Sequence, residues 1–409
     1  MEAVPVFKFP GRSSLLAEQL LDPHQLGLHG ELESLRNLQH KRVVSGLPVC
    51  DLSMVNPDLA PPRQILDRLL ESVTKISNHR YAVSRGVRRL REGFSVKYQN
   101  RFGCELDPEK QVCVCLGSKD ATFHALRALL HAGDAVVVLA PAYPAHPSAV
   151  ALAGGRAVSW EFSQDVKVAS SSLEAVLKQS KAKVVLLNLP SNPLGLAVSE
   201  EWWQEIGGVC ARAGVTILND FVYGEMCFSG RRSASALKAA SSGARCVEVY
   251  SLSKAYNVPG WRVGALVGDR EVVAAVSRLK SNADYGLFLP LQYAAATALT
   301  SSEDLVGATV QTYERRLKVL SDGLRGLGWG MVQPEAGACL WAKYPASLAE
   351  QADGSRYHSI AVVQHILEHS GVVLTPGVLC GPDFDGWVRL AAVSNEERLR
   401  DVIRALRGL

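Results

Sequence analysis

The sequence predicts an α/β fold in which a mostly parallel sheet is covered by helices on both faces. Three observations carry this. From about residue 110 onward, short apolar runs rich in valine and leucine recur along the chain. Turn residues bound each run, and amphipathic stretches of helical length separate them. The runs are continuously apolar rather than alternating, as strands buried on both faces require.

Taken in order, VCVCL (112–116), AVVVLAP (135–141), KVVLLNLP (183–190), VTILND (215–220), CVEVYSLS (246–253) and VGALVG (263–268) read as buried strands. DATFHALRALLHAG (120–133) and SEEWWQEIGGVCARAG (199–214) read as helices between them. The last hundred residues change character. A long helical segment (301–328) leads to GACLWAKYP (337–345), a helix near 357–369, VVLTPG and WVRLAAV. That pattern suits a smaller α/β lobe. The expected division is an N-terminal segment over 1–50 packing on the small lobe, a large domain over 51–287 and a small domain over 288–409.

Composition is ordinary for a globular chain with a substantial core. Of 409 residues, 47% are hydrophobic and 21% charged, and the length favours two lobes. The formal net charge of +4 arises from 44 basic and 40 acidic residues spread throughout, so no clustered basic face points to nucleic acid. Nine cysteines lie in apolar surroundings without the C-x-x-C and histidine spacing of a zinc site. They read as reduced, buried thiols, and no metal is expected. MEAVPVFKFPGRSS lacks a signal-peptide core and no run reaches membrane-spanning length, so a cytoplasmic location is expected.

The chemistry concentrates in YSLSKAYNVPGWRVGALVG (250–268). Lys254 directly follows a strand, with Ser251, Ser253 and Arg262 around it. Alone it could be a surface lysine at a strand end. Hydroxyls and a guanidinium beside it nonetheless make a phosphate cradle, and a lysine there can become a Schiff-base nucleophile. Here the chain resembles the class I/II aminotransferases of fold type I, nearest to their alanine-forming and LL-diaminopimelate-type branch. The shared pattern is S-x-S-K-x-x-x-x-x-G-W-R-x-G.

The resemblance runs from about residue 50 to the C-terminus and implies a seven-stranded, mostly parallel sheet binding pyridoxal 5′-phosphate (PLP). It implies Lys254 as the Schiff-base lysine, with Ser251 and Arg262 on the phosphate. NLPSNPLG (188–195) would place Asn192 on the phenolic oxygen of the cofactor ring, shared with Tyr223. ILNDFVYGEM (217–226) would set Asp220 against the pyridine nitrogen, keeping it protonated as an electron sink. Singly these have duller readings, since an Asp after a strand is often a cap and Asn-Pro often a turn.

CLGSKDATFHAL (115–126) resembles a second phosphate loop through Ser118 and Lys119, although Gly-Ser-Lys alone is usually a cap. Tyr143 would stack on the ring, or else belong to the core. NHRYAVSRGVRRLREG (78–93) resembles the branch in carrying Tyr81 toward the neighbouring subunit's phosphate, which implies a homodimer with shared sites. Tyr285 would lie near that same neighbouring site. The basic run Arg85, Arg88, Arg89 and Arg91 reads more simply as a solvated helix face. Arg389, inside the apolar strand of GWVRLAAV, would take the substrate α-carboxylate in a bidentate fork.

One departure stands out. Members of this branch usually carry glycine where this chain has Val55, and valine cannot copy glycine's close approach or φ range. The expected activity is amino transfer between a small L-amino acid and a 2-oxo acid. Val55 motivates an alternative in which the same carbanion leads to β/γ-elimination, C–C bond formation or oxidation. A PLP-sensing regulator would need an N-terminal helix-turn-helix, for which fifty residues are too few. A Rossmann-type nucleotide binder would need G-x-G-x-x-G after a strand.

Overall fold

The computed structural model describes residues 29–352 and 358–409. The first 28 residues of the expected N-terminal segment, with the stretch read for a signal peptide, lie outside the described residues.

After a helix at His29–Val44 comes β1 (Cys50–Asp51). The central sheet then collects β2 (Val112–Cys115), β3 (Ala135–Ala140), β4 (Arg156–Glu161), β5 (Val184–Leu187), β6 (Thr216–Asp220), β7 (Cys246–Ser251) and β8 (Gly264–Gly268). These seven strands lie in the order β2-β8-β7-β6-β5-β3-β4. Neighbours from β7 through β4 are parallel, whereas β8 runs antiparallel to both β7 and β2. The mostly parallel seven-stranded sheet of an α/β fold is what the sequence predicts.

Six of the seven strands are buried at every position. Helices pack on both faces, and each fully buried valine or leucine contributes roughly 1.5–3 kcal/mol. The exception is β4, RAVSWE, whose residues are mostly exposed along the sheet edge. Its polarity hides it from a search for apolar runs.

A second sheet is built from β9 (Gly330–Val332), β10 (Cys339–Lys343), β12 (Thr375–Pro376) and β13 (Trp387–Ala391), in the order β12-β13-β10-β9. β11 (Val372–Val373) pairs in parallel with β1, so residues 50–51 are tied to the C-terminal part of the chain. The helix Leu289–Thr300 packs instead on helices Arg63–Val73 and Arg88–Lys97.

Two buried polar groups shape the interior. Arg91, read from the sequence as part of a solvated face, is buried and donates to the carbonyls of Gly86 and Pro108 and to Glu109. It sits three residues after exposed Arg88, on the inner side of the helix, where those acceptors offset its desolvation. Glu248, on β7, is fully buried and accepts from Tyr98, Ser235, Asn219 and the Ala236 amide. Complete burial outweighs those four donors and raises its carboxyl to about 7.

Candidate active site

The topology brings the chemistry to one edge of the central sheet. β5, β6 and β7 are parallel, so Asn188, Asp220 and Ser251 leave the sheet on the same side. β2 runs the same way as β7, since both are antiparallel to β8, and its end delivers Gly117 and Ser118 there. β8 runs back from that edge, which places Arg262 just before it. Parallel α/β sheets bind ligands at this carboxyl edge.

The result is a cavity of about 360 Å³. It is lined by Lys254, Asp220, Tyr223, Asn192, Ser118, Lys119, Tyr143, Ser251, Arg262, Arg389 and Val55. Of the residues named from the sequence, two fall elsewhere. Tyr81 and Tyr285 are 83% and 66% exposed, and stack on each other with ring centroids 4.5 Å apart.

Lys254 is partly buried and its amine donates to the Val55 carbonyl. Burial, seconded by the positive charge of Arg389, lowers its ammonium to about 8. Asp220 is buried and one carboxylate oxygen meets His146 Nε2 at 3.2 Å. The other, Oδ1, is buried without a hydrogen-bond partner. Asn188 ties the Asp220 carbonyl (2.6 Å) to the Asn192 amide (2.9 Å), holding two loops in register.

Asn192 Nδ2 lies 3.4 Å from the Tyr223 hydroxyl. Burial pushes the Tyr223 phenol far up, so it stays a proton donor. Arg389 donates from Nη1 to Asn192 Oδ1 at 3.0 Å. From Nη2 it donates to the Ser53 carbonyl at 2.7 Å and Thr375 Oγ1 at 3.1 Å, which leaves Nε unpartnered.

The other end is built largely from backbone. Gly117 has φ +86°, and a Cβ there would sit 2.5 Å from Arg262 Nη2. Ser118 opens a twelve-residue helix whose free N–H groups face this end. Ser251 Oγ donates to Ser253 Oγ at 2.9 Å. Arg262, itself at φ +56°, is anchored by the carbonyls of Pro259 (3.0 Å) and Leu116 (3.3 Å).

His146, Asn188, Ser53 and Thr375 also bond to the residues named from the sequence, with little in the sequence to single them out. His146 lies one helical turn beyond Tyr143 in PAYPAHP, the one local hint. The others act through long-range contacts that no local pattern displays.

Against known proteins, the family described as aminotransferase class I and II matches residues 48–406. The chain belongs to that family. It is 34% identical to the glutamate-pyruvate aminotransferase AlaC of Escherichia coli over 366 residues, covering 89% of this chain and 87% of the relative. It is 32% identical to an LL-diaminopimelate aminotransferase of Dehalococcoides mccartyi over 375 residues, covering 91% and 94%. A solved structure, the probable N-succinyldiaminopimelate aminotransferase of Thermus thermophilus, superposes with a TM-score of 0.82 at 26% identity, covering 92% and 99%. The protein is therefore an aminotransferase, in the branch that the Lys254 and Asn192 segments resemble, and such enzymes generally depend on PLP.

Proposed function

We propose that this aminotransferase uses PLP, held covalently through Lys254, to move an amino group between a small L-amino acid and a 2-oxo acid. The observation that carries this is the unpartnered, buried Asp220 Oδ1 facing a cavity that also holds Lys254. A buried carboxylate oxygen without a donor is costly, and a protonated pyridine nitrogen supplies the missing one. The phosphate end fits equally: a helix N-terminus, two serine hydroxyls and a guanidinium converge where Gly117 leaves room. When bound, PLP would act as an electron sink for the substrate Cα–H bond.

The protein's own groups divide the remaining work. Arg389 takes the substrate carboxylate and fixes which Cα bond stands across the ring. Lys254, whose ammonium is lowered to about 8, would act as the base that takes the substrate α-proton and as the acid that gives it back. Asp220, its carboxylate oriented by His146, would hold the pyridine nitrogen in its protonated form. Asn192 and Tyr223 would donate to the phenolic oxygen, and Tyr143 would lie against the ring.

We propose in addition a homodimer in which Tyr81 and Tyr285 serve the neighbouring site. Their exposure, with that of Ile76 (87%) and Phe288 (42%), fits a covered apolar surface rather than a solvated one. The two-lobe division near residue 288 remains our reading, with the helix Leu289–Thr300 packing toward the large lobe. A cytoplasmic setting accords with nine free cysteines, eight of them buried.

The test is a half-reaction. The enzyme is mixed with alanine, glutamate, aromatic and basic amino acids and S-adenosylmethionine, without any 2-oxo acid. One equivalent of 2-oxo acid released per site, with further turnover only when an acceptor is added, is the expected result. Continuous turnover without an acceptor would overturn amino transfer in favour of elimination, C–C bond formation or oxidation. Val55, in the cavity wall where this branch usually carries glycine, is the observation that favours this second reading.

A further inference from the structure

A second charged cluster lies behind the phosphate end, and nothing in the proposed reaction uses it. Lys280, on the helix Arg270–Ala283, is 0% exposed. Its ammonium meets Asp120 Oδ2 at 3.1 Å and Asp284 Oδ2 at 2.7 Å. Asp120 stands in the first turn of the helix that Ser118 opens. The same Oδ2 accepts the Leu116 amide at 2.8 Å, and the Leu116 carbonyl accepts Arg262 Nη2 at 3.3 Å. Hydrogen bonds thus link a buried ammonium, through one carboxylate and the backbone N–H and C=O of the single residue Leu116, to the guanidinium at the phosphate end.

The charges explain why such a chain is needed. Asp120 places a carboxylate at the N-terminus where a phosphate dianion would sit. Burial works against its ionisation, but the His124 hydrogen bond and Lys280 hold its carboxyl down to about 2. Ionised Asp120 fixes the Leu116–Ser118 turn, yet it also repels a neighbouring anion. In a partly buried site that repulsion is poorly screened. The Lys280 ammonium on the far side of Asp120, shared with Asp284, offsets part of it, and the His124 ring on the other carboxylate oxygen adds to that.

We propose that Lys280 is a positioning residue for the cofactor phosphate: it offsets the charge of Asp120 so that one helix N-terminus can hold both the carboxylate that shapes the turn and the phosphate that the turn binds. This rests on the PLP reading above. It goes beyond that reading by assigning a residue outside the cavity to the phosphate specifically.

The test reconstitutes the full chain, stripped of cofactor, with PLP or with pyridoxal, which lacks the phosphate. Dissociation constants are read from fluorescence quenching, and folding is checked by circular dichroism. Lys280→Met should weaken PLP roughly tenfold or more while leaving pyridoxal within about twofold. Adding Asp120→Asn, which keeps an oxygen for the Leu116 amide but removes the charge, should restore most of the PLP affinity. Equal weakening of both compounds, unchanged PLP binding, or a double variant as weak as the single would overturn the assignment. If Lys280→Met does not fold, Asp120→Asn alone decides: PLP binding as tight as in the parent or tighter supports the role, and weaker binding refutes it. An unmodified enzyme that binds neither compound would instead remove the PLP reading itself, and this assignment with it.

Discussion

The two ends of the cavity are built by different means. At the end proposed for the cofactor ring, Asp220, Asn192, Tyr223 and Arg389 are all buried, and each is held by another side chain. At the end proposed for the phosphate, Arg262 and Lys119 are exposed, and positions are set by backbone: Gly117 at φ +86°, a helix N-terminus and two carbonyls gripping Arg262. Where side chains fix one another in low dielectric, geometry serves reactivity. Where backbone does the fixing, it serves capture of an anion. Losses at the first end should fall on turnover, and losses at the second on cofactor retention.

The sharpest way to break this contrast is Lys254→Ala. Without the amine proposed to move the proton, the half-reaction rate should fall by about 10^2–10^4-fold, read as 2-oxo acid released in a rapid-quench assay. Retained cofactor with lost turnover keeps the two ends distinct, whereas loss of both would merge them. Asp220→Asn comes next. It removes the carboxylate proposed to stabilise a protonated pyridine, and kcat should drop about 10^2–10^3-fold while PLP affinity changes far less.

Arg389→Ala should lower kcat as well as raise KM, because the same guanidinium is proposed both to bind the substrate carboxylate and to orient the Cα bond. Losing a charge-assisted fork costs about 1.5–3 kcal/mol, or roughly 10–100-fold in kcat/KM, partly recovered by Arg389→Lys. The smallest effect of the series concerns pH. Lys254 has its ammonium lowered to about 8, so the neutral, nucleophilic amine predominates above that value. Capture of PLP by the stripped enzyme should rise about tenfold per unit as pH climbs toward 8 and level off beyond it. A profile still climbing at pH 10 would deny that burial tunes this amine.

Which residues gather at the cavity was legible in the sequence because Asp220, Lys254 and Ser118 sit at or just past strand ends, where an apolar run stops and polar groups follow. Asp220 closes VTILND, Lys254 follows CVEVYSLS, and Ser118 follows VCVCL. What escaped was held by tertiary contact. β4 is polar because it lies at the sheet edge, so its burial signal is weak. Arg91 sits in a run of arginines and only the fold reveals which one turns inward. Ser53 and Thr375, which grip Arg389, come from positions 322 residues apart, and no local pattern joins them. Tyr81 and Tyr285 lie together on the surface, where one chain alone gives them no task.

Glu248 makes the strand pair β6–β7 a calorimetric reporter. Its folded carboxyl titrates near 7, against an ordinary value of 4.5. Between those pH values the native chain holds a proton that the unfolded chain releases. Native stability therefore declines as pH rises through that window and levels off above about 7. The heat absorbed on unfolding in this window must include the ionisation heat of whatever buffer takes that proton. Scans at pH 6 in phosphate and in imidazole should differ in apparent enthalpy by about one proton's worth of buffer heat, and Glu248→Gln should erase that difference.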